Sequence, residues 1–206
     1  MFNVCPYCGL YSVEKAIDLD SSTAFCPYCG EGYQFVMKPL YVITGASGTG
    51  KSTICLQLAK ALSGRYIVLE TDILWGEVKA KPEDNYASYT NLWLRLAKNI
   101  HQSGISVVLC GSLFPPTVES CPEQRYFSRV IYLALTCQDE ILRDRLLTRP
   151  GWRDSSSRAF INRMLEFNRW FLNEGSRGDL RITLVDTSSM DVQQTINNIV
   201  NLILAS

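Results

Sequence analysis

The sequence has no surplus of charge: 20 lysines and arginines balance 20 aspartates and glutamates in 206 residues, for a formal net charge of zero. Without an excess of one sign there is no global field drawing the chain toward nucleic acid or an anionic membrane, so any such contact has to come from a local patch. An uninterrupted apolar run of the roughly 18 residues that a membrane span needs is also missing. The opening stretch MFNVCPYCGL has neither the basic start nor the apolar core of a secretory signal. These absences predict a cytoplasmic protein with no membrane partner. Histidine is reduced to His101, in a polar helix end where an exposed side chain is expected. The length excludes two ordinary domains and accommodates one well-buried α/β domain with a small appendage.

Cysteine is present in an informative arrangement. Four of the eight form two C-x-x-C pairs, Cys5/Cys8 and Cys26/Cys29, while Cys55, Cys110, Cys121 and Cys137 are scattered through apolar or mixed sequence. In a reducing compartment that pattern favours a metal site plus buried thiols over a disulfide framework. The pairs are separated by 17 residues, a spacing expected of structural zinc. Each is followed by a glycine, Gly9 or Gly30, that permits the tight turn aiming backbone amides at the sulfurs. Residues 1–38 resemble a zinc ribbon, with CPYCG knuckles joined by strands such as YSVEKAIDL and YQFVM. Four thiolates fill a tetrahedral site, which makes the zinc structural; its binding supplies folding energy that so short a segment cannot obtain from burial. Lys15 and Lys38 face Glu14, Asp18, Asp20 and Glu31 in this module, a balance that does not support a nucleic-acid partner.

From residue 39 to 206 the pattern changes to alternating strands and helices. The apolar run LYVIT leads into GASGTGKST and then STICLQLAKAL, a helix with its apolar face at Ile54, Leu58 and Ala61 or Leu62. Gly45, Gly50, Lys51 and Ser52 match the G-x-x-x-x-G-K-[ST] phosphate loop. Glycines let backbone amides converge on a phosphate and the helix N-terminus adds partial positive charge. Gly45, Ser47, Gly48, Thr49, Gly50, Lys51, Ser52 and Thr53 are therefore the expected ATP contacts, with Lys51 reaching the β- and γ-phosphates and Ser52 on magnesium. Further apolar strands at 65–70, 105–111, 129–135 and 181–186 predict a five-stranded parallel sheet with helices on both faces and its ligands at the C-terminal strand ends.

The segment ETDILW follows the second of these strands, and here the domain resembles the nucleoside and nucleoside-monophosphate kinase group of P-loop proteins, which includes small-molecule kinases such as gluconate and shikimate kinase. The resemblance implies that Asp72 orients or deprotonates an acceptor hydroxyl and that Glu70 supports magnesium. A helix cap at Asp72 is the alternative reading, compatible with the first. The third strand ends in CGSLFPP, similar to a stretch of gluconate-type kinases and lacking the aspartate of hydrolysing ATPases. DEILRDRLLTRPGWRDSSSR is similar to the helix and lid of the same group, which implies that Arg149 and Arg153, among Arg143, Arg145, Arg149, Arg153 and Arg158, close over the phosphates. VDTSSM stands where related kinases contact adenine, giving Asp186, Thr187 and Ser188 as base contacts. Phe160, Met164, Phe167 and Phe171 fall at helical spacing and are expected in the core.

The acceptor segment runs from Asp72 to about Tyr89. Trp75, Tyr86, Tyr89 and Trp93 offer stacking surfaces or the face of an amphipathic helix, and the cations of its first part, Lys79 and Lys81, are few for gripping a monophosphate. The sequence thus predicts an ATP- and magnesium-dependent phosphotransferase acting on a small hydroxyl-bearing or nucleoside-like molecule. Two other readings stay open: a nucleotide-switched protein whose ribbon engages a nucleic acid or protein partner, and a polynucleotide end kinase. Oligomeric state is not encoded in any of these signals.

Overall fold

A computed structural model describes residues 2–78, 81–153, 155–174 and 180–206; the side chains of residues 153 and 174 are also left undescribed. The chain begins with three short strands, β1 (Ala16–Asp18), β2 (Thr23–Phe25) and β3 (Gly32–Gln34), paired as an antiparallel meander. β1 lies within YSVEKAIDL, β3 overlaps only the first two residues of YQFVM, and at three residues β2 is too short to show an alternation of its own.

The second part follows the order β4 (Leu40–Gly45), α1 (Lys51–Ala61), β5 (Tyr66–Glu70), α2 (Ala87–His101), β6 (Ser106–Cys110), α3 (Pro115–Ser120), β7 (Val130–Thr136), α4 (Asp139–Leu147), α5 (Arg158–Glu174), β8 (Ile182–Asp186) and α6 (Val192–Leu204). Its five strands form one parallel sheet in the order β5-β6-β4-β7-β8. The strand carrying the glycine-rich loop is therefore central, and the chain crosses from one side of it to the other between β6 and β7. In open α/β sheets such a switch point opens a crevice at the carboxyl ends of the strands.

Alternation within buried strands divides the core in two. Leu40, Val42, Val107, Leu109, Val130 and Tyr132 face one way, onto Tyr89, Trp93, Leu94 and Ala97 of α2. Tyr41, Ile43, Val108, Cys110, Leu133 and Leu135 face the other way, onto Ile54 and Leu58 of α1 and Ile196, Ile199 and Ile203 of α6. Both faces are covered, which is why these strands read as continuous apolar runs. At the end of α1 it is Leu62, not Ala61, that completes the apolar stripe. Among the described residues no helix is long and apolar enough to cross a membrane.

The small sheet packs against the turn after α3 and against α2. Ala24 and Phe35 share a cluster with Tyr126, joined by Phe2, Tyr33 and Met37. Phe2 meets both Phe35 and Tyr126 edge-on, with centroids 5.6 and 5.2 Å apart, and such pairs contribute about 1 kcal/mol beyond area burial. Lys98 of α2, 1% exposed, donates to Glu123 Oε2 at 2.6 Å and Asn3 Oδ1 at 2.8 Å and lies over the rings of Phe2 and Tyr126. Gln102 exchanges hydrogen bonds with the backbone of Val36, and Arg125 donates to the Val13 carbonyl.

His101 departs from the expected exposure: it is fully buried, with its ring edge-on to Phe127 at 5.4 Å. It occupies the inward stripe that Tyr89, Trp93, Leu94 and Ala97 establish along α2, a periodicity that outweighs the polar character of its neighbours in sequence.

Candidate active site

Gly45 ends β4 and Gly50 caps α1, and the loop between them wraps around the start of the helix. Gly45 has φ +133°, and a Cβ there would stand 2.3 Å from the Leu135 carbonyl oxygen of neighbouring β7, so only glycine lets the chain turn this close to the sheet. Lys51, the first residue of α1, donates from Nζ to the carbonyls of Gly45 and Ala46 at 2.7 and 2.8 Å. Burial pulls its ammonium down to about 8, while the charges of Asp72, Glu70 and Arg149 are all felt at it. Those influences put Lys51, Glu70, Asp72 and Arg149 in one electrostatic neighbourhood. Ser52 and Thr53 are exposed on the first turn of α1. Thr49 turns inward, its hydroxyl donating to the Ala46 carbonyl at 2.9 Å, so its backbone is what it presents to a ligand.

Asp72 sits in a 3-10 turn, Thr71–Leu74, at the C-terminal end of β5. The cap position of this turn is held by Glu70 and Asp72 lies within it, so the helix-cap reading of Asp72 is not realised. Position is set by Thr71, 2% exposed, which packs so close to Gly111 that a Cβ on Gly111 would lie 1.8 Å from Thr71 Oγ1. The glycine of CGSLFPP therefore admits the turn that carries Asp72. From the other side Tyr89 of α2 donates its hydroxyl to the Thr71 carbonyl. Glu70 is half-buried and Asp72 exposed at the mouth of the cleft.

The lid segment begins beyond α4. Arg153 closes a 3-10 turn, Gly151–Arg153; its side chain lies outside what the structure describes, as does residue 154. Arg145 has another job: it donates to Thr187 Oγ1 and to the Thr187 carbonyl at 3.0 and 2.8 Å, pinning the loop after β8. Thr187 is buried and its amide donates to the Thr136 carbonyl at 2.8 Å, so its polar atoms are engaged internally. Asp186 and Ser188 stay accessible and border a recess of about 200 Å³ lined by Thr136, Cys137, Gln138, Leu172 and Leu184.

Two contacts escaped sequence reasoning. Met164 of α5 accepts the Ser47 amide at its sulfur, 3.3 Å away, which brings α5 over the phosphate loop; helical spacing marked Met164 as core and could not single out this contact. The anchoring of the Asp72 turn rests on Thr71 and Gly111, forty positions apart in sequence, beyond the reach of any local pattern. The aromatic segment divides: Tyr89 and Trp93 are core, at 4% and 0% exposure, while Trp75 and Tyr86 stand at 52% and 39%. Phe171 is fully buried, and Phe160, Met164 and Phe167 are partly so. Lys81 is exposed and Lys79 lies outside the described residues.

At the N-terminus the four knuckle sulfurs, of Cys5, Cys8, Cys26 and Cys29, lie within 4.8 Å of one another. The cross-knuckle separations Cys5–Cys29 and Cys8–Cys26 are both 3.7 Å, against the roughly 3.8 Å that a tetrahedron of zinc–sulfur bonds dictates. Gly9 and Gly30 take φ +73° and +76° and donate to the carbonyls of Cys5 and Cys26 at 3.0 Å, giving the same turn twice. Backbone amides at the second knuckle lower the pKa of the Cys26 thiol, favouring the thiolate a metal needs. The set fits structural zinc. The other four cysteines are free and buried.

A central strand opening into a phosphate loop, a parallel sheet in this strand order and an acidic turn facing the loop lysine define a P-loop protein with the kinase type of α/β fold. The chain belongs to the AAA domain family, whose model matches residues 42–162. Among solved structures it is similar to an unliganded sugar kinase from Janibacter sp. HTCC2649, with a TM-score of 0.59 and 18% identity over 81% of this chain and 94% of that one. It is also similar to shikimate kinase from Acinetobacter baumannii in complex with shikimate, with a TM-score of 0.51 and 16% identity over 82% and 94% of the two chains. No curated protein matches the sequence.

Proposed function

We propose that the protein is an ATP- and magnesium-dependent phosphotransferase that phosphorylates a hydroxyl group of a small acceptor. The observation that carries this reading is the position of Asp72, exposed at the C-terminal end of β5 and close enough to the phosphate-loop lysine to be felt at it. In this reading the amides of residues 45–53 and Lys51 hold the β- and γ-phosphates, and Asp186 and Ser188 border the adenine. Magnesium would be held by Ser52 with Glu70 and would neutralise charge between the phosphates. Asp72 takes the proton of the acceptor hydroxyl as that oxygen bonds to the γ-phosphorus and the bond to the β–γ bridging oxygen breaks, releasing ADP. Arg149 and Arg153 stabilise charge on the transferring group and exclude water.

The ribbon serves in this reading as a zinc-stapled buttress. Its carboxylates Glu14, Asp18, Asp20 and Glu31 are all exposed and Lys15 is buried, which disfavours a phosphate-binding surface there. ADP release from magnesium-ATP across nucleosides, sugars, hydroxy acids and oligonucleotide ends tests the proposal. Stimulation by a small hydroxyl compound is expected, with a loss of about 100-fold or more in Asp72→Ala, the size of general-base work. A flat panel with normal ATP binding would refute phosphotransfer and favour a nucleotide-switched protein; stimulation by oligonucleotide ends alone would replace the acceptor class.

A further inference from the structure

Trp75 and Tyr86 form an open aromatic corner beside Asp72 that the core does not use. The Trp75 amide donates to the Asp72 carbonyl at 3.0 Å, continuing the 3-10 turn, and in that geometry residues three apart eclipse. The indole therefore projects on the same side as the carboxylate. Its ring centre lies 5.6 Å from that of Tyr86 with a 42° tilt, and 5.4 Å from Tyr89, which meets it edge-on from the core. Tyr89 thus anchors the indole from below while leaving 52% of Trp75 and 39% of Tyr86 exposed.

The backbone that presents Tyr86 is strained. Asn85 and Tyr86 both lie in the left-handed region, at φ +52° and +60°, a conformation that asparagine tolerates and a bulky aromatic rarely adopts. Such strain persists where surrounding contacts enforce it, and it clusters at ligand sites. Here Asn85 Nδ2 donates to Thr117 Oγ1 at 3.0 Å, holding the turn in place. The surrounding charge is acidic: from residue 72 to 89, Asp72, Glu77, Glu83 and Asp84 outnumber Lys79 and Lys81. A phosphorylated acceptor would meet repulsion there.

We infer that the acceptor is a nucleoside, an uncharged molecule whose flat base stacks on the Trp75–Tyr86 corner while a sugar hydroxyl reaches Asp72. This rests on the phosphotransferase reading for what happens to the hydroxyl, but ring binding can be measured without turnover. Titration of the zinc-loaded full chain with nucleosides, ribose, a nucleoside 5′-monophosphate and a polyhydroxy acid, followed by tryptophan fluorescence, is paired with ADP release on the same set. Because the chain has four tryptophans, Trp75→Phe identifies the signal from Trp75.

Nucleosides are expected to quench Trp75 and to outperform ribose and the monophosphate. Trp75→Ala should raise the nucleoside KM about 10- to 100-fold, the worth of one stacked base, while Trp75→Phe retains most of the affinity. Tyr86→Asn relieves the backbone strain, so a rise in KM there reports the lost ring and not a folding defect. Ribose or a hydroxy acid matching the nucleosides, or a nucleoside KM within about twofold of wild type in both Trp75→Ala and Tyr86→Asn, would overturn the inference and leave phosphotransfer standing. Nucleosides that quench Trp75 without stimulating ADP release would support the stacking site and remove phosphotransfer instead.

Discussion

Protonating His101 should cost the fold about 3 kcal/mol, and the chain supplies its own control. The imidazole is fully buried and neither ring nitrogen has a hydrogen-bond partner among the described residues. Burial, with a smaller push from Lys38, takes its pKa from about 6.5 down to about 4. Position at the end of α2 works the other way, since a helix C-terminus favours a cation by up to about 2 kcal/mol, but a charge with no acceptor for either N–H outweighs that. The folded pKa is below the unfolded one, so the unfolded chain takes up the proton first as pH falls. The stability that neutral His101 contributes is complete above about pH 6.5 and is lost progressively as pH falls toward 4. A shift of this size is worth roughly 3 kcal/mol at about 1.4 kcal/mol per unit. Urea unfolding of wild type and His101→Phe, at several values between about pH 7.5 and 4.5, isolates the effect, because carboxylates and the knuckle thiols titrate in both chains. Relative to wild type, the variant should gain about 2 to 3 kcal/mol across that window. Parallel decline of the two proteins would refute the argument and would mean that His101 finds a partner or water in solution.

Three further outcomes follow from contacts described above. Gly111→Ala pushes a methyl into Thr71 and should displace the Asp72 turn; a stability loss of about 1–3 kcal/mol with a larger proportional fall in kcat than in ATP affinity is expected from urea unfolding and steady-state kinetics. Lys98→Met leaves the buried Glu123 carboxylate with Arg95 as its remaining ion-pair partner, for a cost of about 3 kcal/mol that Glu123→Gln in the same chain should partly restore, measured by thermal melting. Zinc removal with a chelator should unfold the ribbon and uncover Phe2, Phe35 and Tyr126, raising binding of a hydrophobic dye, while ATP binding at the phosphate loop persists; an unchanged near-ultraviolet tyrosine signal would show that the knuckles hold without metal.

The elements with the strongest local signals were legible from the residues alone. Strands read at 40–44, 65–70, 105–111, 129–135 and 181–186 lie within one residue of β4 to β8 at every end, because strands buried on both faces leave continuous apolar runs. The knuckles and the phosphate loop were legible because fixed spacing of cysteines and glycines carries their geometry. What resisted reading is long-range. Nothing local to Gly111 announces Thr71, nothing local to Arg145 announces Thr187, and the burial of Lys98 depends on Glu123 and Asn3 together. Trp75, Tyr86, Tyr89 and Trp93 form one aromatic series in sequence; only the packing of α2 separates the two that build the core from the two that remain open.

One consequence lies in helix α2, which touches Thr71 beside the candidate base through Tyr89 near its start and grips the ribbon through Lys98 and Gln102 near its end. The change in composition near residue 38 is therefore not a place to cut. A chain begun at residue 39 would lack the aromatic lining over Tyr126 and one of the two acceptors that Lys98 uses, so the larger part would lose a wall of its own interior. Two modules that differ in sequence style are in this sense one mechanical object, with the four-cysteine ribbon at one end of a strut whose other end braces the acidic turn.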